Sequence, residues 1–315
     1  MSDPVRNPSL FECCAAAVGS VRGALRPRRP DERFLRSITD AGLPTARHTV
    51  TVTSLPQVPR QVPTAAIVEG RFSPRHIANS LTSFVIQHPE ATFLVDPGYC
   101  LDAEQRAIAQ LPKLLRAAVR PPSDTIPTVT ALQAESTLPT VQFALPTHAH
   151  WDHVCGLLDL PGLPVHLHST EHRWIADGSV APVGGVRDSL KQRPLVEYDL
   201  DGPPILTFTR SHDLFGDGSV VLVDLAGHTP GSIGILAHTR RGWILLAGDA
   251  AWHSMQIDEI RQKSAFPGNF ADNDRDKTFK TMHRLYLARH SVTIVPTHDH
   301  DATLRLADHA EPSSR

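Results

Sequence analysis

Between residues 147 and 153 the chain reads THAHWDH, directly after the apolar run LPTVQFALP. Imidazole nitrogens and a carboxylate packed this closely are the donor set of a transition-metal site, where zinc sits about 2.0–2.2 Å from each ligand. In an extended segment His148 and His150 project to the same side, so both imidazoles can reach one ion. Asp152 and His153 follow where the chain turns and can serve a second ion nearby. Three more donors come later, each closing an apolar run: His228 in DLAGHTPGS, Asp249 in ILLAGDAAW and His298 in IVPTHD. Taken singly, these have plain structural explanations as a turn residue, a cap and part of a polar loop. Taken together, five histidines and two aspartates at strand ends point to two metal ions. Two such ions about 3.5–4 Å apart can activate a water and polarise the bond it attacks.

The surrounding elements must bring these residues to one place. HTVTVTSL, from His48, alternates as a strand, and SLTSFVIQH with ATFLVDPG reads as a hairpin ending at Asp96-Pro97-Gly98. Residues 102–120 have helical spacing, with Pro112 marking a kink or break. LPTVQFALPTH is a buried strand running into the first histidine cluster. PVHLHS is a short strand, and TEHRWIAD starts a helix. After a polar insertion at 177–203, the runs ILTFTR, SVVLVDLAG, GSIGILAHT and GWILLAGDA are four expected strands. RDKTFKTMHRLYLARH is an amphipathic helix and VTIVPTHD a final strand. Strands followed by a helix, twice over, predict two packed sheets with helices outside. Residues 1–44 are Arg- and Pro-rich and read as a partly flexible N-terminal extension with one short helix near 9–25. Residues 45–315 read as the catalytic domain.

Bulk composition narrows the function. The 315 residues are 41% hydrophobic and 20% charged, as in an ordinary soluble enzyme, and the formal net charge of −2 gives no broad attraction to nucleic acid or acidic membranes. No apolar stretch reaches the ~18–20 residues that span a bilayer. Cys13–Leu25 is interrupted by Arg22 and preceded by Glu12, unlike a secretory signal. The four cysteines, at 13, 14, 100 and 155, form no disulfide framework, so a reducing cytoplasm is the expected compartment. Cys155 reads as a small buried thiol rather than a ligand. His166, His168 and His172 fall on a strand and a helix flank.

THAHWDH, GHTPGS, GDA and PTHD, in this order, resemble the metallo-β-lactamase superfamily from about His48 onward, and SLTSFVIQHPEATFLVDPG resembles its early hairpin. The resemblance implies an α/β fold, the αββα sandwich of two mixed sheets and outer helices, with the site at one edge between the sheets. It also implies ligand roles: His148, His150 and His228 for one metal, Asp152, His153 and His298 for the other, and Asp249 bridging both. Asp249 sets the chain apart from true β-lactamases, and His150 sets it apart from the diiron oxygen and nitric-oxide reductases. The nearest look is to the N-acyl homoserine lactonase branch, which shares GHTPG and an Asp-Ala pair at the bridging position. Those enzymes usually carry a tyrosine three residues after that aspartate, where this chain has Trp252. An indole donates a hydrogen bond but supplies no phenolic proton.

These readings together predict a dinuclear hydrolase of carboxylic esters or lactones. Its cofactors would be two divalent ions, zinc first, with Mn2+, Fe2+ or Co2+ also compatible. A metal-bridging hydroxide would attack the carbonyl, with Asp152 and Asp249 orienting it and Trp252 the candidate substrate-side group. The charge growing in the tetrahedral state would lie beside a fixed cation. The expected partner is a small ester or lactone, with no nucleic acid and no membrane, and a homodimer is a family-level expectation. Other readings are a phosphoesterase or organophosphate hydrolase on the same scaffold, and a glyoxalase II-like thioesterase. The thioesterase pattern usually has Gly-Gly after the cluster, where this chain has Val154-Cys155-Gly156. A metal-bearing sensor that kept the fold is the non-enzymatic alternative. RAIAQLPKLLRAAV offers either an apolar wall for an acyl chain or, more plainly, a stripe that packs on the sheet.

Overall fold

The apolar runs pair into two main sheets in a computed structural model of the chain, which describes residues 10–307 except 110, 112, 136–137, 178–186, 188–189 and 191–192. Across the first sheet lie β1 (Thr51–Ser54), β4 (Phe84–Gln87), β5 (Thr92–Val95), β6 (Phe143–Leu145), β7 (Val165–His168) and β8 (Leu195–Tyr198). Across the second lie β13 (Thr293–Val295), β12 (Gly242–Leu246), β11 (Ile233–Thr239), β10 (Val220–Asp224) and β9 (Ser211–Asp213). A separate hairpin joins β2 (Arg60–Pro63) to β3 (His76–Asn79). Both main sheets are mixed: β5 to β8 run parallel, as do β12 and β13, and the other neighbours are antiparallel.

Strand alternation sets the layers. Phe84, Ile86, Phe93 and Val95 point inward and meet Val220, Leu222, Ile235 and Leu246 of the other sheet. Each such side chain contributes about 1.5–3 kcal/mol by leaving water. The outward residues Ala144, Val165 and Leu167 pack with Ile108, just past the Ala103–Arg106 helix, and with Ile175 of the Ser169–Asp177 helix. On the opposite face Val221, Val223, Leu236 and Leu245 pack against Phe279, Met282 and Leu285 of the Arg275–Ala288 helix. This is the helix–sheet–sheet–helix sandwich expected from the sequence. The segments carrying the metal-type residues all follow the carboxyl ends of strands β6, β10, β12 and β13, where open α/β sheets bind ligands.

Three local expectations need correction or completion. ILTFTR is no strand: Ile205 bridges Phe208 in a tight turn, and Leu206 has φ 49°. Leu206 and Phe208 are buried in the cluster between the second sheet and the Arg275–Ala288 helix, and the N-terminal segment docks alongside, with Ala41 N–H donating to Leu206 and Leu206 N–H donating to Gly42. The 102–120 stretch is two helices, Ala103–Arg106 and Lys113–Val119; Pro112 lies outside the described residues. In the polar insertion, Leu195–Tyr198 forms an edge strand, while 178–186 lie outside the described residues.

Within the N-terminal extension, residues 1–9 lie outside the described part and the rest packs on the sandwich. The Leu10–Leu25 helix buries Ala16 and lies along the Ala265–Ala271 helix, where Phe266 N–H donates to Ser20. Arg28 pairs with Asp276 at 2.7 Å, and Asp31 N–H donates to His283. Among the described residues no helix is long and apolar enough to cross a membrane.

Candidate metal centre

Asp96, in the turn after β5, organises the floor of the site. It is fully buried and holds a left-handed backbone, φ 47°, which is uncommon for a residue with a side chain. Its carboxylate accepts from the Thr147 N–H at 2.6 Å and the Thr147 hydroxyl at 3.0 Å, and lies 2.9 Å from His153 Nδ1. Gly98 N–H donates to the His153 carbonyl, and Gly156 N–H donates back to Gly98. A Cβ on Gly156 would sit 2.0 Å from the Pro97 carbonyl oxygen, so only glycine lets these segments close on each other.

All seven expected residues converge. Candidate ligand atoms of His148, His150 and His228 lie within 4.8 Å of one another, as do those of His148, His153 and Asp249, and those of Asp152, His153 and His298. The Asp249 carboxylate stands between the outer groups. Its Oδ2 is 3.4 Å from His228 Nε2, and its Oδ1 is 3.2 Å from His153 Nε2 and 3.3 Å from His298 Nε2.

The atoms that meet here suit a cation better than each other. His148 Nε2 is 3.0 Å from His150 Nδ1, which is 2.8 Å from His228 Nε2. His228 Nδ1 faces Asp272 at 2.8 Å and His148 Nδ1 faces Thr147 at 3.1 Å, so lone pairs are left pointing inward. His153 Nε2 and Asp249 Oδ1 are buried with no hydrogen-bond partner, which an ion would relieve. These donors fit divalent metal ions.

Electrostatics agree with that fit. Burial, and then the neighbouring imidazoles, hold His148 and His150 well below the usual histidine range, so both stay neutral and able to ligate. Burial disfavours charge on Asp249, yet His298 and His153 outweigh it and keep the carboxyl well below its usual range. Burial likewise opposes charge on His153, but Asp249, Asp96 and Asp152 draw its pKa well upward. Positive charge is stabilised between these carboxylates.

Contacts behind the ligands involve residues that motif reading passed over. Glu171 is fully buried and accepts from Ala149 N–H, the Thr229 hydroxyl and Gly231 N–H, tying the first cluster to the His228 loop. Burial raises its pKa to about 7 despite those three donors. Asp272 accepts from Lys263 at 2.8 Å and faces His228. Asp299, next to His298, accepts from the Ser254 N–H and hydroxyl and from Ala302 N–H. Asp96 carried a visible signal, the Asp-Pro-Gly turn; Glu171, Lys263 and Asp272 carried none, since lone charged residues in helices and loops are ordinarily solvated. His166, His168 and His172 fall on β7 and the Ser169–Asp177 helix, outside the converging groups. Cys155 is fully buried and its thiol donates to the Gly98 carbonyl.

Trp252 does not present its N–H to the cavity. Its Nε1 donates to Asp249 Oδ2 at 2.6 Å, while the ring packs beside Ile67 and Ile77. Above the centre opens a cavity of about 570 Å³ with His150, Asp152, Asp249 and His298 in its lining. Its walls are mainly apolar and include Val58, Ile67, Leu111, Val119, Phe266 and Phe270. In the 106–119 stretch Ala107 and Ile108 pack in the outer layer, while Leu111 and Val119 also line the cavity.

The metallo-β-lactamase superfamily profile matches residues 79–298. A probable metallo-hydrolase of Mycobacterium tuberculosis is 33% identical over 122 residues, covering 36% of this chain and 37% of that protein. The N-acyl homoserine lactonase AttM of Rhizobium radiobacter is 27% identical over 170 residues, 51% of this chain and 59% of that one. The chain thus matches well under two thirds of these relatives' lengths. Among solved structures, B. thuringiensis AiiA with N-decanoyl-L-homoserine bound superposes with TM-score 0.59 at 15% identity, over 85% of this chain and 99% of that one. The hydrolase AbOPH superposes with TM-score 0.55 at 17% identity, over 82% and 91%. At such identities the superpositions speak for the fold, while the profile spans most of the chain and every converging residue: the protein belongs to the metallo-β-lactamase superfamily.

Proposed function

We propose that the protein is a metal-dependent hydrolase that opens lactones or cleaves carboxylic esters at a dinuclear centre, with zinc the first candidate. The observation carrying this reading is the floor of the cavity: three ligand groups, linked through His148 and His153 with Asp249 in the middle one, lie beneath a wide apolar space. Two ions held there supply an acidified water and a Lewis acid for the carbonyl. The chain's own part is positional. Asp249 offers one oxygen to each side, Asp152 and His298 close the outer side, and the apolar walls exclude water and seat a hydrocarbon chain. A largely apolar cavity with few convergent polar groups is typical of a small-molecule site. The similarity to AttM, a named N-acyl homoserine lactonase, supports an acylated lactone as the first substrate to try.

The test is acid release by the zinc-loaded protein on N-acyl homoserine lactones, simple γ- and δ-lactones, aryl esters, thioesters and phosphotriesters, with His150→Ala as blank. Metal-dependent opening of lactones supports the proposal. Turnover confined to phosphotriesters overturns it in favour of an organophosphate hydrolase, a class whose two-metal in-line displacement needs the same ligands. Turnover confined to thioesters would place the protein with the thioesterases.

A further inference from the structure

Lys263 belongs to none of the expected ligand sets, yet it is 1% exposed and lies directly behind the metal centre. Lysine is among the residues least often buried, and a buried ammonium must be paired and hydrogen-bonded to be tolerated. Three parts of the site meet its head group. Nζ donates to Asp272 Oδ1 at 2.8 Å and to the main-chain carbonyl of Asp249 at 2.9 Å, and it stands 4.8 Å from the Trp252 ring centroid. The same Asp272 Oδ1 is 2.8 Å from His228 Nδ1. Lys263 is itself held in place: Arg275 donates to its main-chain carbonyl.

We propose that Lys263 is a positioning residue that selects and stiffens the metal position formed by His148, His150 and His228. It acts on that position along two routes. Through Asp272 it fixes a carboxylate against His228 Nδ1, which leaves Nε2 aimed at the ion. Through the Asp249 carbonyl it anchors the backbone of the residue whose Oδ2 faces the same position. The third contact explains a departure in the sequence: the Trp252 ring offers its face to the ammonium while its N–H goes to Asp249 Oδ2. Lysine, tryptophan and the aspartate pair thus form one unit behind the ligands. The second position, formed by Asp152, His153 and His298, has no hydrogen bond or ion pair from Lys263 or Asp272 among the described residues. Lys263 therefore acts on the first position by both routes and reaches the second only through Asp249, whose Oδ1 faces His153 and His298. This inference rests on the ligand set, and is independent of which ester the enzyme cleaves.

The experiment is stepwise loading of the metal-free protein with Co2+, read by visible absorption and by competition with a chelating dye, in wild type, Lys263→Met, Asp272→Asn and the double variant. Carboxylates and other groups that orient ligating histidines typically hold 10–100-fold in metal affinity. In Lys263→Met, one binding step is expected to weaken about 10-fold or more with an altered spectrum, while the other step weakens several-fold less. Because Lys263 acts partly through Asp272, the double variant is expected to lose less than the sum of the singles. Equal weakening of both steps, or unchanged affinities in a folded Lys263→Met protein, overturns the proposal. If Lys263→Met does not fold, Lys263→Gln, which retains one donor, is put to the same titration. Absence of lactone hydrolysis in a wild-type protein that binds both ions stepwise would count against the substrate reading alone, while the role of Lys263 stands or falls on the titration.

Discussion

Trp252 Nε1 and Asp249 Oδ2 are 2.6 Å apart, so the indole's single polar hydrogen is spent on the carboxylate at the centre of the cluster. Trp252 lines the cavity, as expected of a substrate-side group, but its N–H is committed to a ligand. Trp252→Phe keeps the ring but removes that donor, and is expected to lower metal affinity or kcat about 10-fold with KM little changed. Steady-state kinetics beside a metal titration will show it. A variant with raised KM alone would restore a substrate-facing role.

His150→Ala and Asp249→Asn each remove a donor from a group that converges within 4.8 Å. Both are expected to abolish measurable turnover and to lower the metal content of the purified protein by about one ion or more. Metal analysis together with activity on the best substrate checks this. Near-normal activity in either variant would sink the dinuclear scheme.

Glu171 gives a pH dependence with a definite sign. Its folded pKa is raised to about 7 from an ordinary 4.5, burial being the dominant cause. Between those values the folded protein retains a proton that the unfolded chain has lost. The stabilisation is full below pH 4.5 and is lost as pH rises through 7. That difference amounts to about 3 kcal/mol. Denaturant titrations of metal-free protein should show stability falling across this window, and Glu171→Gln should flatten the fall. Parallel curves for the two proteins would show that Glu171 titrates normally.

Gly156 permits the closest approach in the floor of the site. Gly156→Ala places a carbon 2.0 Å from the Pro97 oxygen. The strain is expected to cost about 3 kcal/mol, seen as a lower Tm, and to shift Asp152 and His153 enough to reduce metal binding. An unchanged Tm would mean that the turn relaxes freely.

The apolar cavity predicts a chain-length preference. Each methylene added to the acyl group of a substrate should raise kcat/KM up to about 4-fold until the cavity is filled, the value of about 0.8 kcal/mol per buried CH₂. Phe270→Ala, at the wall, should move the optimum to longer chains. A flat response across the series would place the acyl chain elsewhere.

The sandwich was legible because strand and helix periodicities are strong where both faces are buried: β4, β5, β10, β11 and β12 all fall on runs that read as strands. The converging donors were legible for a similar reason, since His and Asp at the ends of apolar runs are conspicuous. ILTFTR misled because Leu206 and Phe208 reach the cluster between sheet and helix from a tight turn and not from a ladder. The β2–β3 hairpin escaped because Arg60, Gln61 and Pro63 hide its alternation. Glu171, Lys263 and Asp272 escaped on physical grounds: a buried charge is recognised by its partners, and those lie 9 to 60 positions away in the chain.

The cavity wall contains Cys13 from the N-terminal helix and Gln57, Val58, Val62 and Ile67 from the hairpin region, all ahead of residue 79, where the family match begins. The converging donors all lie after it. Part of the cavity's shape, though not its Leu111, Val119, Phe266 and Phe270 walls, thus lies on a separate length of chain from the reactive donors. Changes in the first 78 residues can therefore reshape one side of the cavity without touching a converging donor, whereas the opposite wall shares its length of chain with the donors themselves.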